Sequence, residues 1–186
     1  GLMGLTVDTN YGGSGGNYRQ LAIVLEEIAR GCAGTSLSYL AHLSLGVATI
    51  ARFGSKDQKQ RFLPPLASGE KLAAFCFTEP VGGSDAAGIE AQVTEKDGYY
   101  ILNGTKTFIT NGDIADTLVV FATRDRSLRH KGILAFIVEK NSPGFEAHPQ
   151  HGKMGMRASS TAELVFQNCP VPKENLLGNE GQGFNI

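Results

Sequence analysis

Near residue 70 the hydrophobic pattern of this chain changes period, and that change constrains the fold more than any other feature. Before it, apolar residues recur at helical spacing. Asn17 followed by Gln20 forms a capping-box pair, and Leu21, Val24, Leu25 and Ile28 then share one face up to a stop at Gly31. A second helix is predicted from Thr35 through Phe53. It is apolar nearly all round (Leu37, Leu40, Leu43, Leu45, Val47, Ile50), which predicts burial. Ser55 with Gln58 opens a short third helix, expected to end before Pro64-Pro65.

Beyond residue 70 the apolar runs are short and separated by turn residues. Strands are predicted at Ala73–Thr78, Ile89–Glu95, Tyr99–Leu102, Lys106–Thr110, Thr117–Thr123, Gly132–Val138 and Thr161–Phe166. Asp97-Gly98 is a two-residue hairpin signal, and Asn103-Gly104 reads as a second turn. The fold class is therefore α+β: a helical part over 1–70, then an antiparallel β-barrel or sandwich over 71–186.

Composition removes several functions. The net charge is −1, so no general field steers the chain toward nucleic acid or anionic lipid. No apolar run reaches the roughly 18–20 residues that span a bilayer. The three cysteines, Cys32, Cys76 and Cys169, are far apart and odd in number, which predicts reduced thiols in a reducing compartment. His148 and His151 flank a proline, and His42 and His130 stand alone; none has metal-ligand spacing. Residues 148–151 read as a surface loop, and the charged run Arg124–Lys131 as a solvated one.

Two segments carry chemistry. Phe75-Cys76-Phe77-Thr78-Glu79-Pro80-Val81-Gly82-Gly83-Ser84-Asp85 is an apolar strand ending in threonine and opening into a glycine loop. Lys106-Thr107-Phe108-Ile109-Thr110-Asn111-Gly112 ends the same way. Residues i and i+2 of a strand share a face, so Phe75 pairs with Phe77 and Phe108 with Thr110. Such a pair of strand ends suits a flat ring with apolar faces and a polar edge. Gly82 and Gly83 permit close backbone approach to a phosphate, and Ser84 adds a hydroxyl. No G-x-G-x-x-G stands between a strand and a helix, which disfavours a nicotinamide cofactor. Glu79 follows the first strand, but it sits in the loop of the ring-binding segment rather than facing a substrate carbon, so it is not assigned as a general base.

These segments resemble the flavin-binding segments of the acyl-CoA dehydrogenase family, closest to its branched-chain (isovaleryl-CoA) group. Tyr11-Gly12-Gly13-Ser14-Gly15, the run Met154–Thr161, Val171-Pro172 and Asn175-Leu176-Leu177-Gly178 resemble further family motifs, and the likeness covers essentially the whole chain. One departure is Thr9-Asn10, where the family commonly has a proline.

The resemblance implies FAD as cofactor. It places Phe75, Phe77, Thr78, Gly83, Ser84, Phe108 and Thr110 at the flavin, with Thr110 near N5 and Thr78 near the pyrimidine edge. It places Ser84 and Lys131 at the acyl-CoA substrate; Arg157, in the run Met154–Thr161, reads as structural within the β domain or as a partner for a carboxylate or a phosphate. The implied reaction is α,β-dehydrogenation of an acyl-CoA thioester, with an electron-transferring flavoprotein as acceptor and a homotetramer as the assembly. An oxidase using oxygen and a β-rich binding module without redox chemistry are the alternatives. The resemblance also implies a C-terminal helical bundle outside this chain and a catalytic base beyond Ile186. The piece alone is then expected to lack turnover and to bind FAD weakly. The compartment implied is cytoplasmic in a bacterium or the mitochondrial matrix in a eukaryote.

Overall fold

A computed structural model describes all 186 residues. Four α-helices come first: α1 (Tyr18–Gly31), α2 (Ala33–Leu40), α3 (Ala48–Phe53) and α4 (Lys56–Ser68). Both capping boxes form. Asn17 Oδ1 accepts from the Gln20 amide at 3.1 Å while Gln20 Oε1 accepts from the Asn17 amide at 2.8 Å. Ser55 and Gln58 repeat the exchange at 3.1 and 2.9 Å. Gln58 also works at long range, because its Nε2 donates to the carbonyls of Glu174 and Leu176 at 2.7 and 2.8 Å and joins α4 to the end of the sheet.

Two helical expectations are corrected. The run predicted from Thr35 to Phe53 starts at Ala33 and is interrupted by a π-helical segment, Ala41–Val47. Such a segment inserts a residue into the turn and re-aims the side chains on either side. α4 does not stop before Pro64-Pro65 but passes through both. Leu63, Leu66 and Ala67 are buried in the core on either side of them, and this burial offsets the missing amide donors. Gly69, in a left-handed conformation (φ 82°), ends the helix.

The second half is an eight-stranded, mostly antiparallel sheet: β1 (Ala73–Cys76), β2 (Gln92–Lys96), β3 (Tyr99–Thr110), β4 (Thr117–Thr123), β5 (Ile133–Glu139), β6 (Phe145–Pro149), β7 (Thr161–Pro172) and β8 (Leu176–Leu177). The strand order is β6-β7-β3-β2-β4-β5-β8, with β1 on β4. Two pairings are parallel, β1 with β4 and the single Gln92–Thr123 pair of β2 with β4.

The Asp97-Gly98 hairpin forms as expected. The turn expected at Asn103-Gly104 does not: β3 runs straight through, with a bulge between Leu102 and Gly104. Gly104 has φ +146°, and a Cβ there would lie 2.6 Å from that of Ala91. Its role is a close approach of two backbones inside a sheet. β2 begins at Gln92 rather than Ile89, although Ile89 is buried. The strand expected at Thr161–Phe166 extends to Pro172. β6 takes in His148 and Pro149 as the end of an edge strand, while Gln150 and His151 lie in the loop beyond it.

β4 is buried along its whole length and β5 nearly so, at the centre of one continuous core that also takes in Leu43, Val47 and Ile50 from the helical half. Gly46 lets the π segment press on β1; a Cβ at that position would stand 2.5 Å from the Ala73 Cβ.

Candidate functional site

A cavity of about 330 Å³ opens where the π segment, β1 and the end of β3 meet. It is lined by Ala41, Leu45, Phe75, Phe77, Thr78, Phe108, Ile109 and Thr110. Five of the sequence-predicted flavin residues, Phe75, Phe77, Thr78, Phe108 and Thr110, therefore share one wall. Phe75 and Phe77 point together, as strand alternation predicts, with rings stacked 6.3 Å apart. Both rest on Phe121 of β4, at 4.9 and 5.1 Å between centroids. That underlay is buried and fixes the two rings by edge and face contact.

Phe108 is placed by a distortion. Between Lys106 and Ile109 the register of β3 against β7 slips, and Phe108 takes φ +56°. Bulges re-aim side chains in this way. Phe108 projects from the sheet, 68% exposed, beside Thr110 at the cavity rim. Asn111 is also left-handed (φ 64°) and buried. Its amide donates to the Ser160 carbonyl at 3.0 Å and its Nδ2 to the Ser38 carbonyl of α2 at 2.9 Å. Thr110 thus sits close to two residues locked in unusual backbone conformations, each costing on the order of 1–3 kcal/mol unless the surroundings hold it. Neither the Thr78 nor the Thr110 hydroxyl makes a hydrogen bond within the chain.

The glycine loop borders this site without lining it. A Cβ on Gly83 would approach the Thr78 Cγ2 to 3.2 Å, and one on Gly82 would meet nothing. Ser84 is exposed in the loop beyond, away from the cavity lining. Asp85 pairs with Arg129 at 2.8 and 3.0 Å, and Arg126 with Glu90 at 3.2 Å. Those pairs tie the loop to the charged turn Arg126–Gly132, which carries Lys131 exposed on its surface. Lys131 does not reach the cavity lining either. Arg157 is exposed and donates to the Lys153 carbonyl at 2.8 Å, a contact within its own loop.

Sequence reasoning missed Ala41, Leu45 and Ile109. The first two lie in a helical run so uniformly apolar that no face could be singled out. It also missed Lys106, whose ammonium is fully buried and donates to Glu79 Oε1 at 2.6 Å and to the Phe77 carbonyl at 3.1 Å. A signal existed, because Lys106 has the same strand parity as the buried Tyr100 and Leu102. Burial pulls the Lys106 ammonium below the usual lysine range, against the opposing pull of Glu79. Burial also raises the neighbouring Cys76 thiol far above its ordinary value, so it stays protonated and unreactive.

The comparisons agree on both halves of the chain. The sequence family described as the N-terminal domain of acyl-CoA dehydrogenase matches residues 1–70, and that described as its middle domain matches residues 74–169. This chain belongs to the acyl-CoA dehydrogenase family. The short-chain-specific acyl-CoA dehydrogenase of Clostridium acetobutylicum is 45% identical over 186 residues, covering 100% of this chain and 49% of that protein. The mitochondrial isovaleryl-CoA dehydrogenase of Oryza sativa is 47% identical over 185 residues, covering 100% and 45%. Among solved structures, a chain in that of the electron transferring flavoprotein of Acidaminococcus fermentans superposes with TM-score 0.97 at 45% identity, over 100% of this chain and 49% of that one. An acyl-CoA dehydrogenase from Bacillus anthracis, complexed with FAD, superposes with TM-score 0.91 at 42% identity, over 98% and 32%. The chain spans about half the length of the curated acyl-CoA dehydrogenases it matches. No helix is long and apolar enough to cross a membrane, and no cluster of side chains is arranged to hold a metal ion.

Proposed function

We propose that the protein carrying this chain is an FAD-dependent acyl-CoA dehydrogenase, and that this chain supplies the flavin cradle. The observation that carries the reading is the cavity walled by Phe75, Phe77 and Phe108 with the two unengaged hydroxyls of Thr78 and Thr110. The donor set fits the group. Apolar aromatic walls suit the faces of an isoalloxazine, hydroxyls suit its edge, and the Gly83 amide, which makes no hydrogen bond within the chain, suits a diphosphate, while the Gly82 amide is taken up by the Glu79 carbonyl at 3.1 Å.

When bound, FAD supplies the two-electron acceptor for oxidation across the α–β bond of the thioester. The chain's own residues bind and orient. Thr110 is assigned to donate its hydroxyl proton toward the N5 edge and Thr78 toward the pyrimidine edge, where preorganised donors favour developing negative charge. Phe75, Phe77 and Phe108 keep water from the ring. Ser84 and Lys131 are assigned to the substrate's CoA portion as it crosses the glycine loop. No carboxylate lines the cavity, so the base that takes the α proton is assigned to chain outside residues 1–186. An electron-transferring flavoprotein as acceptor, a homotetramer, and a location in the cytoplasm or mitochondrial matrix belong to the same reading, supported by the likeness to the relatives above.

The test uses the full-length protein. It is expected to purify yellow or to take up FAD, and to lose its visible flavin absorbance when one of a panel of acyl-CoA esters is added without air. A protein that stays colourless with excess FAD ends the proposal. Hydrogen peroxide released on turnover would replace the dehydrogenase by an oxidase.

A further inference from the structure

A salt bridge between Lys106 and Glu79 is buried beside the Thr78 segment and does not itself line the cavity. Lys106 is 0% exposed and the Glu79 side chain 4%. Replacing such a pair by apolar residues of similar volume is often neutral or stabilising, because desolvation cancels most of the attraction. Stability alone therefore gives weak reason to bury it here.

Its connections point elsewhere. The Lys106 ammonium donates to the carbonyl of Phe77 at 3.1 Å and to the carboxylate of Glu79 at 2.6 Å, the residues on either side of Thr78. The carbonyl of Thr78 itself accepts from the amide of Thr107 at 2.8 Å. Glu79 is held in turn by the amides of Glu90 and Ala91, at 2.6 and 3.0 Å from Oε2 and Oε1. Three consecutive residues are thereby bolted to two consecutive residues of β3, and Thr78 is the middle one. Immediately after those two residues, the bulge turns Phe108 toward the cavity rim.

We propose that Lys106 and Glu79 are positioning residues that set the direction of the Thr78 hydroxyl for the flavin edge, an inference that rests on the FAD reading above. They touch neither ring nor substrate and act through the backbone on both sides of Thr78. The charge of the pair supplies rigidity, because moving either partner leaves a buried charge unpaired.

The experiment measures FAD affinity and the visible flavin spectrum of the full-length protein. Its variants are Lys106→Met with Glu79→Gln, Thr78→Val, the three changes together, and Val171→Ala as a destabilised core control. All are read at a temperature where circular dichroism shows them folded. The neutral pair is expected to weaken FAD binding at least tenfold and to shift the flavin bands, while Val171→Ala leaves both unchanged. In the Thr78→Val background the neutral pair is expected to add little, since coupled sites are non-additive. If the double variant does not fold, Glu79→Gln alone preserves shape and one amide acceptor and carries the same expectation. Wild-type affinity and spectrum in the neutral pair overturn the inference while leaving the FAD reading intact. A loss that merely tracks melting temperature, or adds in full to Thr78→Val, does the same. Failure of the wild-type protein to bind FAD overturns both.

Discussion

Nδ1 of His42 accepts the backbone amide proton of Ala73 across 3.0 Å, at the point where the π segment meets the first strand. That bond fixes the tautomer. The proton must sit on Nε2, which faces the Met3 carbonyl at 3.2 Å. The ring is fully buried, and burial holds it below the ordinary histidine range.

A pH dependence follows from this arrangement. The unfolded chain binds a proton at His42 near pH 6.5, while the folded chain resists it, because a proton on Nδ1 would face the Ala73 amide donor. The unfolded state therefore carries more protons below that pH, and stability falls as pH drops through it, by up to about 1.4 kcal/mol per unit. Urea midpoints measured from pH 8 to 5 should decline steeply in the wild type and less steeply in His42→Gln. Parallel slopes would show that another group titrates.

Gly104→Ala should be severely destabilising. Its φ of +146° is closed to residues with a Cβ, and the added carbon would meet the Ala91 Cβ at 2.6 Å and its Cα at 2.7 Å. Strain and overpacking together cost about 2–5 kcal/mol. Gly98→Ala, where a Cβ meets nothing but φ is +83°, should cost about 1 kcal/mol. Thermal melts of the two variants compare them directly.

Phe121→Ala removes the underlay of Phe75 and Phe77. The loss should be about 3–5 kcal/mol for a buried phenylalanine. Phe121→Leu should cost less yet still loosen the stacked pair, since only the aromatic contact, worth about 0.5–1.5 kcal/mol, is lost beyond volume. Chemical denaturation gives the first figure. Ring-proton NMR signals of Phe75 and Phe77 report the second.

Thr110→Val keeps shape and removes the hydroxyl at the cavity rim. In the full-length protein the flavin midpoint potential should fall, because a donor that favours the reduced, negatively charged ring is gone, while Thr110→Ser should restore most of it. A potential unchanged by Thr110→Val removes the assignment of this hydroxyl to the ring.

The elements legible from the sequence were those governed by neighbours a few residues apart. The two capping boxes, the Asp97-Gly98 hairpin and the buried β4 and β5 all follow from local spacing. The elements that escaped depend on distant partners. Pro64 and Pro65 look like a stop until Leu66 and Ala67 are seen in the core. Asn103-Gly104 looks like a turn until Ala91 lies against it. β6 and β8 are short edge strands whose identity comes from β7 and β5. At the site, the aromatic–threonine strand ends marked five lining residues. Ala41 and Leu45 reach the cavity from the π segment, a helical irregularity that no local spacing marks, and Lys106 meets Glu79 where β3 is hydrogen-bonded to the Thr78 segment.

Ala73 pairs side by side with Thr117, forty-four positions downstream, in a parallel arrangement. During synthesis, then, the helices leave the ribosome well before the strand that β1 must lie against. Their apolar faces have no sheet to dock on until about residue 120 has emerged, and non-local pairing of this kind is slow to form. The nascent chain thus passes through an interval in which its greasiest helical run is unsheltered, and holdase chaperones have their opening in that interval.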